Sequence, residues 1–277
     1  MAIGFKFYEE AKKQVQRLKC RVSRQRTQSA LDHLGVEDLG HLLVHSSLSA
    51  CGWIVGGTEA VLNCLRVRTK ILVLPTHAYL YPRPKDGWIS TFEPGITPSR
   101  VGAISDQFRA DPRVTHSLHP THSIAALGPG AEDFCKGHEN CVTPCGKGTP
   151  YEKLVAEDAA VLMFGVWMAA YTLFHTAEDA AEVPYLYEPS PYRLKVLLRG
   201  GSHREVLTYR QDMSVPRRFH RMDRVLESEG LIRRCPLGRG ELLFVPSSLA
   251  VHRFLLDQLR RDPSFLLDGN HAPRRCR

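Results

Sequence analysis

Three short apolar runs, at residues 41–46, 71–75 and 160–165, constrain the fold of this 277-residue chain most strongly. Each run ends in Ser, Pro or Gly, and runs of this length are typical of strands that are covered on both faces of a sheet. Between the first two runs, a Gly pair and the N-cap candidate Thr58 precede a segment with helical apolar spacing. The order strand, loop, helix, strand predicts an α/β fold, with the three strands adjacent in a mostly parallel central sheet flanked by helices.

Both ends of the chain are expected to belong to the same single domain, residues 1–277. Residues 5–34 have apolar side chains at helical spacing with basic residues between them, so 1–35 is predicted to be a basic helical segment. From Tyr192 the chain is β-rich, and Gly200-Gly201 predicts a hairpin turn. Two helices around a short strand at 242–245 complete a smaller β-rich and helical C-terminal part, the basic subdomain 190–277.

The net charge of +8 is unevenly distributed, with +6 in residues 1–30, −7 in 31–190 and +9 in 191–277. The basic ends raise the alternative of a nucleic-acid-binding module, but no recognition motif or aromatic interleaving accompanies them. The sequence has no apolar run near the ~20 residues of a membrane helix and no signal-peptide core. We therefore expect a cytoplasmic protein without a nucleic-acid or membrane partner; the sequence carries no signal for its oligomeric state.

Histidines and cysteines raise a further alternative, a zinc-dependent hydrolase. Three histidines stand at 116, 119 and 122, but Pro120 excludes the helix that would direct two imidazoles to one metal, so a loop beside an active site is favoured. A second group comprises Cys135, His138, Cys141 and Cys145. Its spacings differ from those of common zinc sites, and no cysteine has an adjacent His–Asp pairing that would activate it as a nucleophile. We expect no metal.

Two segments carry the strongest chemical signals. Residues 44–61 lead from a strand through a Gly-rich loop to a helix N-terminus, where N–H groups can hold phosphates or a carbonyl oxygen. In residues 162–185 a strand ends at Gly165 and a helix begins near Thr172, with His175 in its first turn. Glu178 and Asp179 follow at i+3 and i+4, so either carboxylate can approach His175. The pair is typical of a general base; an ordinary loop and a surface ion pair are the alternatives.

Six motifs give the chain a resemblance to a known family. In order they are VHSSLSACGWIVGG, LVLPTHAY, FEPGITPSRVGAISDQFR, VTHSLHPTHSIAALGP, GKGTPYEKL and TLFHTAEDAAEVPY. They resemble motifs of the aminoglycoside 3-N-acetyltransferases, and the similarity extends over about residues 40–185 and more weakly to about 265. The resemblance implies an α/β enzyme that transfers the acetyl group of acetyl-CoA to an amine of an aminoglycoside, and with it antibiotic resistance.

The resemblance also implies roles for individual residues. His175 matches the helix histidine of the family and is implied as the general base of a direct transfer, with Glu178 at the position of the family's Glu. The residues implied in acetyl-CoA binding are Ser46, Ser47, Leu48, Thr76, Arg100 and Ser123. The candidate contacts to the amine substrate are Tyr79, Asp86, His119, Asp179 and Asp212.

Two departures from the family concern the amine that accepts the acetyl group. The loop before the helix reads GVWMAAYT where relatives carry polar residues, so Trp167, Met168 and Tyr171 are predicted to narrow or dry the site. Arg210 stands in TYRQD, where some members supply an acidic contact, and a cationic antibiotic would be held less well there, although the net −7 of residues 31–190 tolerates a cation. Another amine, such as a biosynthetic intermediate, is therefore the alternative acceptor.

Overall fold

A computed structural model describes residues 20–81 and 91–268. Within these ranges the strands are β1 Arg21–Val22, β2 Leu39–Ser46, β3 Trp53–Ile54, β4 Thr69–Pro75, β5 Thr91–Phe92, β6 Thr115–His116, β7 Ile124–Leu127, β8 Ala160–Phe164, β9 Tyr192–Leu197, β10 His203–Thr208, β11 Arg233–Leu237 and β12 Gly240–Val245. The α-helices are α1 Arg24–Leu34, α2 Gly57–Arg66, α3 Ala103–Arg109, α4 Ala131–Cys135, α5 Pro150–Ala156, α6 Phe174–Ala180, α7 Met222–Ser228 and α8 Ser248–Arg261.

Seven strands form the central sheet in the order β11-β12-β8-β2-β4-β7-β6. The strands over the three apolar runs, β2, β4 and β8, are neighbours and pair in parallel, as predicted. The prediction of a mostly parallel sheet is wrong, because all four flanking strands pair antiparallel. Strand direction follows from the connection. A two-residue turn joins β11 to β12 and permits only antiparallel pairing, whereas apolar content carries no information on direction.

Alternation of side chains along the central strands separates two hydrophobic layers. In β2, Leu43 belongs to one layer, whereas Leu42 and Val44 belong to the other. Helices α4–α8 contribute apolar side chains to the first layer, and α1–α3 contribute to the second. Successive residues of a strand point to opposite faces, so the middle of the sheet is buried on both sides and the fold has three layers.

A second sheet has the order β10-β9-β5 and its own small hydrophobic cluster, which includes Phe92, Val196 and Val206. The predicted hairpin at Gly200-Gly201 joins β9 to β10. Segment 190–277 is thus divided between two sheets, since β11 and β12 lie in the central sheet and α8 packs against α6. The arrangement of the chain into domains stays a prediction.

Of the predicted N-terminal helix, residues 24–34 form α1, whereas the helical prediction is wrong at Arg21–Val22, which form β1 and pair with β3; residues 1–19 lie outside the described residues. The helix begins where Ser23 Oγ accepts a hydrogen bond from Arg26 N–H, and it ends at Gly35, which has a left-handed φ of 77°. The longest helix in the described ranges, α8, has 14 residues. Within those ranges, no helix has the length and apolar content needed to cross a membrane.

Candidate active site

The carboxyl ends of the parallel strands meet at one edge of the central sheet. β2 ends at Ser46, β4 at Pro75 and β8 at Phe164. Ser46 is the partner of Phe164 in the ladder, and Ser47 N–H donates a hydrogen bond to Phe164 O at 2.8 Å. The loops after β2 and β8 therefore leave the sheet side by side, and this is the edge at which α/β proteins bind ligands.

A sharp turn at Gly165 directs the chain from β8 towards α6. Gly165 has a φ of 69°, and a Cβ atom at this position would lie 2.6 Å from Ser47 O, so the turn requires glycine. A short 3-10 turn, Met168–Ala170, follows, and α6 begins at Phe174. His175 therefore lies in the first turn of a helix, as predicted, and faces the edge of the sheet.

His175 and Glu178 form a close pair on this helix. Nδ1 of His175 lies 2.6 Å from Oε2 of Glu178. The Glu178 side chain is 0% exposed and that of His175 is 16% exposed. With the carboxylate as acceptor, Nδ1 carries the proton and Nε2 is left free to accept one. Phe219 packs beside the imidazole, with ring centroids 5.4 Å apart.

Arg217 completes this arrangement from a distant segment. Its Nε donates to Oε1 of Glu178 at 3.2 Å, and its Nη1 donates to the carbonyl oxygens of Asp212 at 2.6 Å and Val215 at 3.0 Å. Backbone and carboxylate together hold the guanidinium in place. Glu178 thus has a partner at each oxygen, as a fully buried carboxylate requires.

His175 lies in the wall of a cavity of about 630 Å³, here named the His175 cavity. Its aromatic and imidazole lining residues are Tyr79, Tyr81, His122, His175, Phe219 and His220. Arg210 and Gln211 are polar members of the lining, and Met213 and Val215 are apolar ones. A recess of about 110 Å³ shares His122 and His175 with this cavity. The volume accommodates a small organic molecule beside the imidazole.

Buried histidines lie behind the His175 cavity. They are His77, His119, His122 and His138. Burial lowers the pKa of His122 to about 3, with the charges of His175 and His138 adding to the effect, and burial lowers the pKa of His138 to about 3. Burial likewise lowers the pKa of His77 and of His119 well below the usual range. These imidazoles are neutral at pH 7, and a base with such a low pKa is a poor proton acceptor there.

A second cavity, of about 530 Å³ and here named the Ser46 cavity, is lined by residues within 46–49, 52–57 and 101–103. Helix α2 begins here at Gly57, and the N–H groups of a first helical turn have no partner within the helix. The buried Oγ of Ser46 has no hydrogen-bond partner among the described residues. Gly102, with a φ of 115°, approaches so closely that a Cβ atom would lie 2.7 Å from Ser46 O. Backbone donors beside a helix N-terminus suit a phosphate or carbonyl ligand.

The residues predicted to bind the cofactor are not all at this cavity. Ser46, Ser47 and Leu48 line it, and Arg100 is exposed directly before the lining segment 101–103. Thr76 and Ser123 are buried, and their hydroxyl oxygens lie 3.1 Å apart. Ser123 Oγ also donates to the carbonyl oxygen of Thr76 at 2.9 Å. These two side chains fasten the end of β4 to the start of β7 and are absent from the described lining of the Ser46 cavity; their cofactor contact stays a prediction.

The predicted substrate contacts Tyr79 and His119 have different positions. Tyr79 lines the His175 cavity, and its hydroxyl lies 2.9 Å from Nδ1 of His77. His119 is fully buried, and its ring nitrogens lie near Thr208 Oγ1 at 3.2 Å and the backbone N–H of His122 at 3.2 Å. His119 is absent from the described lining of the His175 cavity, and its substrate contact stays a prediction. His122, from the same histidine group, lines the cavity instead, as a loop beside an active site would.

The predicted acidic substrate contacts do not line the His175 cavity where they are described. Asp179 accepts a hydrogen bond from Tyr187 Oη at 2.5 Å, and Asp212 accepts from Ser214 Oγ at 2.6 Å. Both carboxylates therefore have local partners, and their substrate contact stays a prediction. The remaining candidate, Asp86, lies outside the described residues.

The loop between β8 and α6 contains the three residues that were predicted to narrow or dry the site, and one of the three lies beside His175. Tyr171 is buried and lines the small recess beside His175. Met168 is buried in the core, whereas Trp167 is 60% exposed and is absent from the lining of the His175 cavity. Tyr171 is thus the residue of the three that restricts space near the imidazole.

Four of the seven described cysteines, Cys51, Cys64, Cys135 and Cys145, are buried thiols, and the other three are partly exposed. Burial raises the pKa of the Cys51 thiol to about 11 and that of Cys145 well above its usual range. Reactive cysteines have the opposite shift. In the second predicted metal group, His138 has its ring nitrogens near Ser117 Oγ and Pro144 O, at 2.9 and 3.0 Å. Among the described residues no group of three or more His, Cys, Asp or Glu side chains is placed to hold a metal; absence of a metal stays a prediction.

Sequence analysis did not identify Arg217 or Phe219 as site residues. Arg217 stands in VPRRFH, one of several Arg pairs in a basic segment, and no local pattern distinguishes it. Its contact with Glu178 spans 39 residues of sequence. A buried carboxylate in α6 needs a cationic partner, and this requirement was the only available signal. The sequence does not identify which cation meets it.

Comparison with known proteins gives concordant findings. A family model described as aminoglycoside 3-N-acetyltransferase matches residues 43–255. Aminoglycoside N(3)-acetyltransferase IV from a Salmonella species is 31% identical over 251 residues, which cover 88% of this chain and 91% of that protein. A crystal structure of an AAC(3)-IVa mutant in complex with a gentamicin is 28% identical, with a TM-score of 0.75 and coverage of 91% and 93%. The binary complex of AAC-IIIb with CoASH, 22% identical, shares the fold with a TM-score of 0.73 and coverage of 87% and 97%.

Proposed function

The chain belongs to the aminoglycoside 3-N-acetyltransferase family and is an acyltransferase, and we propose that it transfers the acetyl group of acetyl-CoA directly to an amine, with His175 as general base. The observation that carries the proposal is the arrangement of His175, Glu178 and Arg217 in the wall of the His175 cavity. The names of the relatives make an aminoglycoside the first candidate acceptor.

His175 supplies the proton transfer that amine acylation requires. An aliphatic amine is an ammonium ion at neutral pH, and it must lose a proton before its nitrogen can attack the thioester carbonyl carbon. Nε2 of His175 accepts that proton and passes it to solvent; the amine nitrogen then forms the new C–N bond, His175 takes the second N–H proton from it, and the C–S bond breaks. His175 then returns a proton to the departing thiolate. Histidine titrates near neutral pH and suits both steps.

Glu178 and Arg217 position this base. Glu178 accepts a hydrogen bond from the Nδ1–H group and stabilises the imidazolium that forms during transfer. Arg217 holds the second oxygen of the carboxylate, which prevents rotation of the Glu178 side chain. Direct attack needs no covalent enzyme intermediate, and the raised pKa of the Cys51 thiol opposes one on that residue.

The Ser46 cavity fits the cosubstrate. Acetyl-CoA carries phosphates and amide carbonyls, and the cavity offers N–H groups at the start of α2 and the unpartnered Oγ of Ser46. Arg100 is the candidate cation for a phosphate. Ser47 N–H is engaged by Phe164 O, so any donor to the thioester oxygen comes from a neighbouring N–H group.

A second acceptor class, a non-aminoglycoside amine, is favoured by one observation. Arg210 is a cationic member of the lining of the His175 cavity, at the position where the sequence suggested the loss of an acidic contact. A cationic wall disfavours a polycationic antibiotic and tolerates an amine of lower charge.

The proposed function is tested by release of free thiol from acetyl-CoA in the presence of a panel of aminoglycosides and simple amines. Purified protein should bind acetyl-CoA, as judged by a rise in melting temperature, and should release thiol only when an amine is present. Absence of amine-dependent thiol release across the whole panel would contradict acetyl transfer. Thiol release without an amine would indicate hydrolysis.

A further inference from the structure

The charge of the His175 cavity determines which amine fits, provided that the proposed acetyl transfer holds. In the described part of the chain, the lining contains no aspartate or glutamate. Glu178 is fully buried behind His175, and its two oxygens are occupied by His175 and Arg217. It therefore has no free oxygen for a ligand ammonium group.

Arg210 adds positive charge to this wall without bringing a carboxylate into it. Its guanidinium lies 4.9 Å from the ring centroid of Tyr81, and its Nε lies 3.4 Å from Oε1 of Glu188. The other oxygen of Glu188 accepts a hydrogen bond from Tyr192 Oη at 2.7 Å. Glu188 is absent from the described lining, so the guanidinium of Arg210, and not its partner carboxylate, borders the cavity.

The described lining contains a second cation, Arg217, which is paired with the buried Glu178, and its other members include apolar and aromatic residues. Met213, Val215 and Phe219 contribute apolar surface, and Tyr79 contributes an aromatic ring. Burial lowers the pKa of His122 to about 3, so its imidazole is neutral at pH 7.

A polycation and a monoamine would meet very different conditions in such a cavity. Each ammonium group that leaves water needs a carboxylate or several hydrogen-bond acceptors, because an unpaired buried charge is costly. An apolar or aromatic body, in contrast, gains free energy by covering apolar lining. A single ammonium group placed at His175 loses its charge when it delivers its proton.

We propose that the acceptor of the His175 cavity is a primary amine of single positive charge on an apolar or aromatic body, and that Arg210 is a specificity-determining residue that disfavours polycations. The proposal rests on the proposed acetyl transfer and narrows its acceptor to one chemical class. The observation behind it is the juxtaposition of the reactive imidazole with a cationic wall that has no carboxylate among the described lining residues.

The test is a comparison of kcat/KM by thiol release at saturating acetyl-CoA, with 2-phenylethylamine, octylamine, glucosamine and gentamicin as acceptors. Wild-type protein should prefer the two apolar monoamines to gentamicin by roughly tenfold or more. Glucosamine is a polar monoamine, and it should fall below 2-phenylethylamine if the apolar body matters. A preference for gentamicin or for glucosamine overturns the inference and leaves acetyl transfer intact, whereas no thiol release with any acceptor overturns acetyl transfer itself.

A charge reversal tests the part assigned to Arg210. Arg210→Glu should raise the ratio of kcat/KM for gentamicin over 2-phenylethylamine by roughly tenfold, and the gain should shrink as salt is added. The matched control is Arg193→Glu, a reversal of a side chain that is 75% exposed on β9 and is absent from the cavity lining. An unchanged ratio in Arg210→Glu, or an equal change in the control, would remove Arg210 from the determinants of specificity.

Discussion

The His175 cavity and the Ser46 cavity lie at the same edge of the sheet but are built differently. Backbone and small side chains from residues 46–57 and 101–103 line the Ser46 cavity. Side chains from four segments, near residues 79–81, 122, 169–175 and 210–220, line the His175 cavity. A site of the first kind depends on how closely backbones approach each other, whereas a site of the second kind depends on which side chains the fold brings together. Substitutions should therefore affect the two cavities in different ways.

The largest expected effect is the loss of the base in the His175 cavity. His175→Ala should lower kcat by about 10²–10⁴-fold, the usual contribution of a positioned base, and leave the affinity for acetyl-CoA nearly unchanged. The measurement is kcat by thiol release with cofactor affinity measured separately. His33→Ala, at an exposed position of α1, is the matched control. Near wild-type kcat in His175→Ala would reject the mechanism, and parallel loss of cofactor binding would show that the two cavities are not separable.

The next effect concerns the buried ion pair behind the base. Arg217→Met leaves one oxygen of the buried Glu178 carboxylate without its partner and should lower the free energy of unfolding by about 3 kcal/mol. The double substitution Arg217→Met with Glu178→Gln should lower the free energy of unfolding by less than the sum of the two single substitutions, because it leaves no buried carboxylate charge without a partner. Urea unfolding of all three variants gives the values.

Arg218→Met is the matched control for this prediction. Arg218 is the adjacent residue, and its Nε donates to the carbonyl oxygen of Phe265 at 2.7 Å without a carboxylate partner. Its loss should cost under about 1.5 kcal/mol. Equal destabilisation by the two Arg substitutions would mean that the ion pair between Arg217 and Glu178 adds nothing to the free energy of unfolding.

The Ser46 cavity should respond to added volume. Gly102→Ala places a Cβ atom 2.7 Å from Ser46 O in a left-handed conformation, so the segment 101–103 must shift. The affinity for acetyl-CoA should fall by roughly tenfold, while Ser47→Ala should change it little because the expected contacts are to backbone. Gly137→Ala is the control for backbone strain alone, since Gly137 has a φ of 90° and no atom within 4 Å of the added Cβ. Equal loss of affinity for acetyl-CoA in both glycine variants would show that the close contact between Gly102 and Ser46 O does not matter for cofactor binding.

The smallest expected effect comes from the neutral histidines beneath both cavities. Burial lowers the pKa of His45, next to the Ser46 cavity, to about 3, and the pKa of His122 is lowered to the same value. In the unfolded chain these groups bind protons below about pH 6.5, whereas in the folded protein they do so only near pH 3. Their contribution to stability is therefore present above pH 6.5 and is lost as the pH falls from about 6.5 towards 3.

Lowering the pH from 6.5 to 5.5 should cost about 1 kcal/mol of unfolding free energy for each of these histidines. His45→Leu removes one titrating group and should reduce the pH dependence measured by urea unfolding by that amount. The substitution His33→Leu, at an exposed histidine, should leave the dependence unchanged. A His45→Leu protein with the full wild-type pH dependence would show that His45 is not held neutral.

The sequence predicted several elements because their signals are local. The runs over β2, β4 and β8 identified three adjacent buried strands, and Gly200-Gly201 identified a hairpin. The His–carboxylate pair was predictable for the same reason, since residues three apart on a helix share a face. The choice of Glu178 over Asp179 was visible only as a family resemblance; in the structure Asp179 bonds to Tyr187 instead.

The tertiary structure decided what depends on distant contacts. The antiparallel direction of β7 and β12, the pairing of Arg217 with Glu178, and the separation of Thr76 and Ser123 from both cavities each involve residues far apart in the chain. Local patterns report which side chains are buried and which share a face, because 2- and 3.6-residue periods are properties of a single segment. They carry no information on which partner a buried polar group meets, because that depends on the packing of the whole fold.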